Sequence, residues 1–84
     1  MRLNDTVDLM ISSDWQDRMK GEYLQVKIRV TKLKNLLSKR LSGDLDFVTP
    51  IPIESWMRQI TFMEGYMHEL EYQANVHGIA LPTL

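Results

Sequence analysis

Residues 14–43 read DWQDRMKGEYLQVKIRVTKLKNLLSKRLSG, and the spacing of their apolar side chains decides what kind of fold this chain can adopt. Trp15, Met19, Tyr23, Val26, Val30, Leu33 and Leu37 follow one another at steps of four, four, three, four, three and four. That is the repeat of one face of an α-helix. Just upstream, Ser13-Asp14-Trp15-Gln16 has the form of a capping box, in which the serine hydroxyl accepts from the Gln16 amide and the glutamine reaches back. The helix is therefore expected to start at Asp14. Gly43 is expected to close it, because glycine takes the left-handed conformation at a helix end without steric cost. A weaker stripe of Leu24, Ile28 and Leu36 runs beside the first and implies a second surface to cover.

Downstream, residues 42–51 (SGDLDFVTPI) read as a loop, although Leu45, Phe47 and Val48 are apolar enough to be expected to fold back onto the helices. Pro52 suits a first helical turn, where its missing N–H is not needed, and it pushes Ile51 out of the helical region. A second stripe follows at Ile53, Trp56, Ile60, Met63, Met67, Leu70 and Ala74, ending before Gly78. Phe62, Tyr66 and Val76 lie off that stripe. Gly65 interrupts the second helix at a cost of about 1 kcal/mol relative to alanine, so close approach of another helix, or of a ligand, is the reason to expect it there.

The N-terminal arm has a cap signal at Asn4 or Asp5 followed by Val7, Met10 and Ile11, which predicts a turn or two of helix needing a surface to dock on. The chain thus divides into an arm (1–13), a helix (14–42), a loop (43–51), a helix (52–77) and a tail (78–84). There is no internal repeat and no period-two run long enough for a strand. The expected fold is all-α: a short N-terminal helix and two antiparallel helices of roughly 40 Å, a helical hairpin.

A hairpin of 84 residues buries too little apolar surface to stand comfortably alone, and with no cysteine it has neither disulfides nor thiolate metal sites as staples. Two helices share one seam, while the surplus apolar positions and the tail Ile79-Ala80-Leu81 would face water. Packing between copies, a homo-oligomer, is the expected remedy. Acids at Asp5 and Asp8 break the N-terminus before any apolar stretch develops, and nowhere do 18 apolar residues run together, so a soluble intracellular protein without a membrane partner is expected.

Charge is divided unevenly. Residues 14–41 carry eight basic side chains against three acidic ones, a balance of +5, whereas residues 42–84 carry Arg58 against six acids, a balance of −5. One reading is a basic helix lying beside an acidic one with charges flanking the seam. The other is that part of the basic surface stays free for an anion. Lys20, Lys27 and Lys34, spaced by seven, line one face, and Arg29 and Lys32 lie on another, with Trp15 and Tyr23 near in sequence. Cations plus aromatic planes suit a phosphorylated base, although Trp15 and Tyr23 as core knobs and solvated lysines are the simpler reading.

Catalysis finds little to work with. His68 and His77 lie nine residues apart on opposite sides of one helix, and the trio Glu64, His68 and Glu71 shares a face off the apolar seam, where charged residues are ordinarily solvated. His77 before Gly78 suits the negative end of a helix. No serine sits in a strand-turn-helix elbow, and the glycines form no phosphate loop. Neither an enzyme nor a bound cofactor or metal is expected.

The run Arg18-Met19-Lys20-Gly21-Glu22-Tyr23 through Thr31-Lys32-Leu33, with Arg58-Gln59-Ile60 and Met63-Glu64-Gly65-Tyr66 beyond the loop, resembles a widespread family of small phage proteins. The shared pattern is an arginine, a glutamate four residues later, a Lys-Leu pair, then Arg-Gln-hydrophobic and Met-x-x-Tyr on a second helix. The resemblance covers roughly residues 14–78, and the best-understood members are hexameric anti-CBASS sponges. It implies a homohexamer that sequesters cyclic dinucleotides such as cyclic GMP-AMP, and in several members cyclic trinucleotides, in pockets between protomers within the host cytoplasm. It also implies a site: Lys32 matches the family's ligand lysine, and Trp15 is the candidate for its stacking ring. On one helix these two point about 100° apart, so a shared pocket would combine them from different chains. Lys27, Arg29 and Tyr23 complete the candidate set. A helical interaction module joining another protein is the alternative, and binding to a nucleic acid polymer ranks last because the acidic half would repel it.

Overall fold

The computed structural model describes Leu3 and residues 14–82. Within them the chain forms two helices, α1 (Trp15–Ser42) and α2 (Ile53–His77), and no strand. They pack antiparallel as a hairpin within overall extents of 43 × 24 × 19 Å. Apart from Leu3, residues 1–13, where the short N-terminal helix is expected, lie outside the described residues, Ser13 among them. Among the described residues, no helix is long and apolar enough to cross a membrane.

The cap of α1 sits one residue later than expected. Asp14, in extended conformation, accepts from the Gln16 amide through its own carboxylate at 2.9 Å. A carboxylate caps as well as a hydroxyl and also meets the positive end of the helix dipole. Both helices end as their glycines require. Gly43 (φ 81°) and Gly78 (φ 69°) are left-handed, and the amides beyond them reach back, Asp44 to the Lys39 carbonyl and Ile79 to the Ala74 carbonyl, each at 2.8 Å. These are Schellman closures, which satisfy carbonyls that a helix otherwise leaves unpaired.

The seam of α2 is the expected one: Trp56, Ile60, Leu70 and Ala74 are buried and Ile53, Met63 and Met67 half-buried. That of α1 is the expected one too: its contacts with α2, from Glu22 and Arg40 on one flank and from Tyr23 and Lys34 on the other, bracket the stripe of Met19, Val26, Val30, Leu33 and Leu37. Leu24 and Ile28, assigned to the weaker stripe, are the most deeply buried large side chains of α1, at 1% and 4% exposure, together with Tyr23 and Val30. Val26, Leu33 and Leu37 are half-buried, and Trp15, expected as the first knob, is 45% exposed. At 100° per residue Leu24 and Ile28 lie on the side of α1 away from its contacts with α2, so the second stripe is indeed a second covered surface, and α2 is not what covers it. At the loop end the Arg40 guanidinium lies 4.9 Å over the Trp56 ring, so the buried Trp56 is shielded by a cation–π contact.

The loop departs from expectation as well. Val48 is 99% exposed and Phe47 and Ile51 are exposed; only Leu45 is partly covered. Together with Leu41, Met57, Phe62, Tyr72 and Val76 they leave the isolated hairpin with a large amount of apolar surface in water.

Candidate functional site

Polar residues of α1 flank the seam on both sides, Tyr23, Lys27 and Lys34 on one and Glu22 on the other. Along the first flank, Lys34 Nζ pairs with Glu64 Oε2 at 3.1 Å, and Lys27 Nζ stands 5.6 Å from the centre of the Tyr23 ring. Tyr23 is buried, and its hydroxyl donates to Glu71 Oε1 at 2.9 Å. A reciprocal link runs the other way, the Tyr66 hydroxyl of α2 donating to the Glu22 carboxylate of α1. Each helix thus gives the other one tyrosine donor and one glutamate acceptor. Opposite charges do flank the seam, but the exposed Lys34–Glu64 pair adds little stability by itself.

Glu22 and Tyr66 are the glutamate and tyrosine of the sequence pattern described above, so two separated parts of that pattern meet across the hairpin. Sequence reasoning did not pair them. The only available signal was the opposite charge of the two halves, which gives the side of contact without the partners.

Both tyrosines are held in their neutral form. For Tyr66, first the hydrogen bond to Glu22, then burial and the glutamate's charge push the pKa up to about 12; for Tyr23, burial first, then Glu71, raises it as well. A pKa raised by folding marks stability that is complete below tyrosine's usual value and lost as pH rises through the folded value. The hairpin is therefore expected to weaken between roughly pH 10 and about 12. Phenolate absorbance followed against pH checks this: Glu22→Gln should bring Tyr66 ionisation to lower pH, and an unchanged curve would show that the link does not form in solution.

On the outer side of α1, Arg29 and Lys32 are exposed and have no hydrogen-bond or ion-pair partner among the described residues. They stand one turn apart and about 60° apart around the helix axis, close enough to act on one anion. Trp15 presents part of its ring at the start of α1, its edge packed on His77 with centroids 5.0 Å apart and planes at 68°. Seventeen residues separate Trp15 from Lys32, about 25 Å along the helix, too far for one small ligand to touch both in the same chain. Of the five candidates, then, Tyr23 serves the interior, Lys27 covers its ring, and Arg29, Lys32 and Trp15 are presented outward at two separate places.

The metal-like trio is dispersed: Glu64 is engaged by Lys34 and Glu71 by Tyr23. The hairpin's own concavity, about 270 Å³ lined by Lys34, Leu37, Met57, Ile60 and Thr61, is mostly apolar and contains none of the five candidates. It falls short of the volumes of roughly 300–1,000 Å³ that small-molecule sites usually offer.

Compared with known families, residues 13–72 match one family model, described as Sequestin. Neither the curated proteins nor the solved structures contain a match to the chain.

Proposed function

The chain belongs to the Sequestin family, whose members are phage anti-CBASS sponges for cyclic nucleotides, and from that membership we propose that it sequesters cyclic dinucleotide or trinucleotide second messengers, or both, in the host cytoplasm. The observation that carries the reading to particular residues is the pair of unpaired cations, Arg29 and Lys32, on the outer side of α1. A cyclic dinucleotide presents two phosphodiesters and two flat bases, so it needs such charge near a stacking plane. One chain separates Lys32 from Trp15 by the distance given above, and a second copy brings another Trp15 within reach. The pocket is thus built between protomers of a homo-oligomer, a hexamer, whose assembly also covers the exposed apolar side chains.

Binding proceeds without turnover. The protein, saturated with cyclic GMP-AMP and then heat-denatured, is expected to return the ligand intact. Linear dinucleotide or mononucleotide accumulating with protein and time would make it a phosphodiesterase. The exposed Val48, Phe62 and Val76 favour a second reading, a module that docks on a different protein. An oligomer that takes up none of a panel of cyclic oligonucleotides would decide for that one.

A further inference from the structure

Helix α2 carries a second repeat that its hairpin partner does not use. Arg58, Phe62, Gly65, Glu69, Tyr72 and Val76 follow at steps of four, three, four, three and four, and all six are exposed, Phe62 to 74%. At 100° per residue they gather within an arc of about 80°, on the side away from Trp56, Ile60, Leu70 and Ala74. At the centre of this face a Cβ added to Gly65 would meet nothing within 4 Å, so no packing inside the chain calls for glycine there. Glycine is nevertheless a much poorer helix former than alanine. The charges on the face are also unsatisfied. Arg58 is the only lysine or arginine in residues 42–84, and neither it nor Glu69 has a partner among the described residues.

We propose that this face pairs antiparallel with the same face of a second copy across a two-fold axis, setting Arg58 against Glu69 of the partner subunit and the Phe62 ring over Gly65 of the partner subunit. The two-fold repeats each contact, giving two ion pairs outside two ring-on-glycine contacts. A missing side chain lets the helix axes approach closely enough for the ring to fill the gap. The same register carries Val76, 63% exposed in the single chain, to the N-terminal end of the partner subunit's α2. Charge sets the direction, because a parallel pairing would place glutamate on glutamate and arginine on arginine. This pairing rests on the homo-oligomer proposed above and names one of its interfaces.

The chain has no cysteine, so introduced thiols report contacts cleanly. Positions 58 and 69 of one chain lie eleven residues apart, about 16 Å along the helix, beyond the reach of a disulfide. The full-length Arg58→Cys/Glu69→Cys variant, oxidised and run on a non-reducing gel, is expected to give a covalent dimer, and each single variant to stay monomeric on the same gel. Single variants that cross-link as well as the double would mean a parallel pairing and overturn the proposal. Native mass spectrometry of the parent separates the two levels of failure. A monomeric parent defeats the homo-oligomer itself, whereas an oligomeric parent whose double variant does not cross-link defeats this pairing alone. Gly65→Leu, which places a side chain where the ring lies, is expected to keep its helicity and shift the assembly to smaller species; an unchanged assembly counts against the pairing.

Discussion

Lys32→Glu is expected to lower affinity for cyclic GMP-AMP by roughly 30-fold or more while helicity and oligomer size stay at the parent's values. Lys32 is exposed, lies on the side of α1 away from α2 and has no partner among the described residues, so its reversal removes no contact between the two helices. In a pocket partly closed to water, however, the change replaces attraction to a phosphodiester by repulsion, and losing such a charged contact costs about 2 to 5 kcal/mol. Isothermal titration with circular dichroism checks both halves. Trp15→Ala provides the companion measurement: a stacking plane is worth about 1 to 3 kcal/mol, and because nearly half of Trp15 is exposed, thermal stability should change little. A Lys32→Glu protein that binds like its parent would remove Lys32 from the site and turn attention to Arg29 and Lys27.

The largest loss of stability is expected from Leu24→Ala. Leu24 is the most completely buried large side chain, and deleting a buried leucine to alanine costs about 2 to 5 kcal/mol in lost transfer energy and cavity formation. A small domain has only about 5 to 15 kcal/mol of stability in all, so the variant should unfold at a much lower temperature or lower denaturant concentration. Leu36→Ala, on the same sequence stripe but only half-buried, should cost clearly less. Equal losses for the two would mean that Leu24 is no better covered in solution than Leu36.

The two long helices, their stops at Gly43 and Gly78 and the seam of α2 follow from local chemistry: helical spacing, left-handed glycine and a proline at a helix entrance. These are properties of a few consecutive residues, so they are legible without knowing what lies across from them. The start of α1 shifted by one residue because Ser13 and Asp14 are both competent caps. Val48 was expected against the hairpin on its apolarity alone, and it stands in solvent in a loop whose hydrogen bonds, Ser42 to Asp44 and the Ile51 amide to the Thr49 hydroxyl, are to its own neighbours.

The candidate site was legible to a similar depth. By itself the sequence determined an all-helical hairpin with a basic first helix and an acidic second one, and its motif carried the family. Only the tertiary structure decided that Leu24 and Ile28 are buried as deeply as the main seam, that Tyr23 and Tyr66 are each bound to a glutamate of the opposite helix, and that Lys27 and Lys34 are engaged while Arg29 and Lys32 are not. The physical reason is that a helix's repeat specifies which residues share a side, whereas which residue of one helix meets which residue of the other depends on the crossing of the two helices. That crossing is set by contacts between residues thirty to fifty positions apart, such as Lys34 with Glu64 and Tyr23 with Glu71, and no local pattern encodes it.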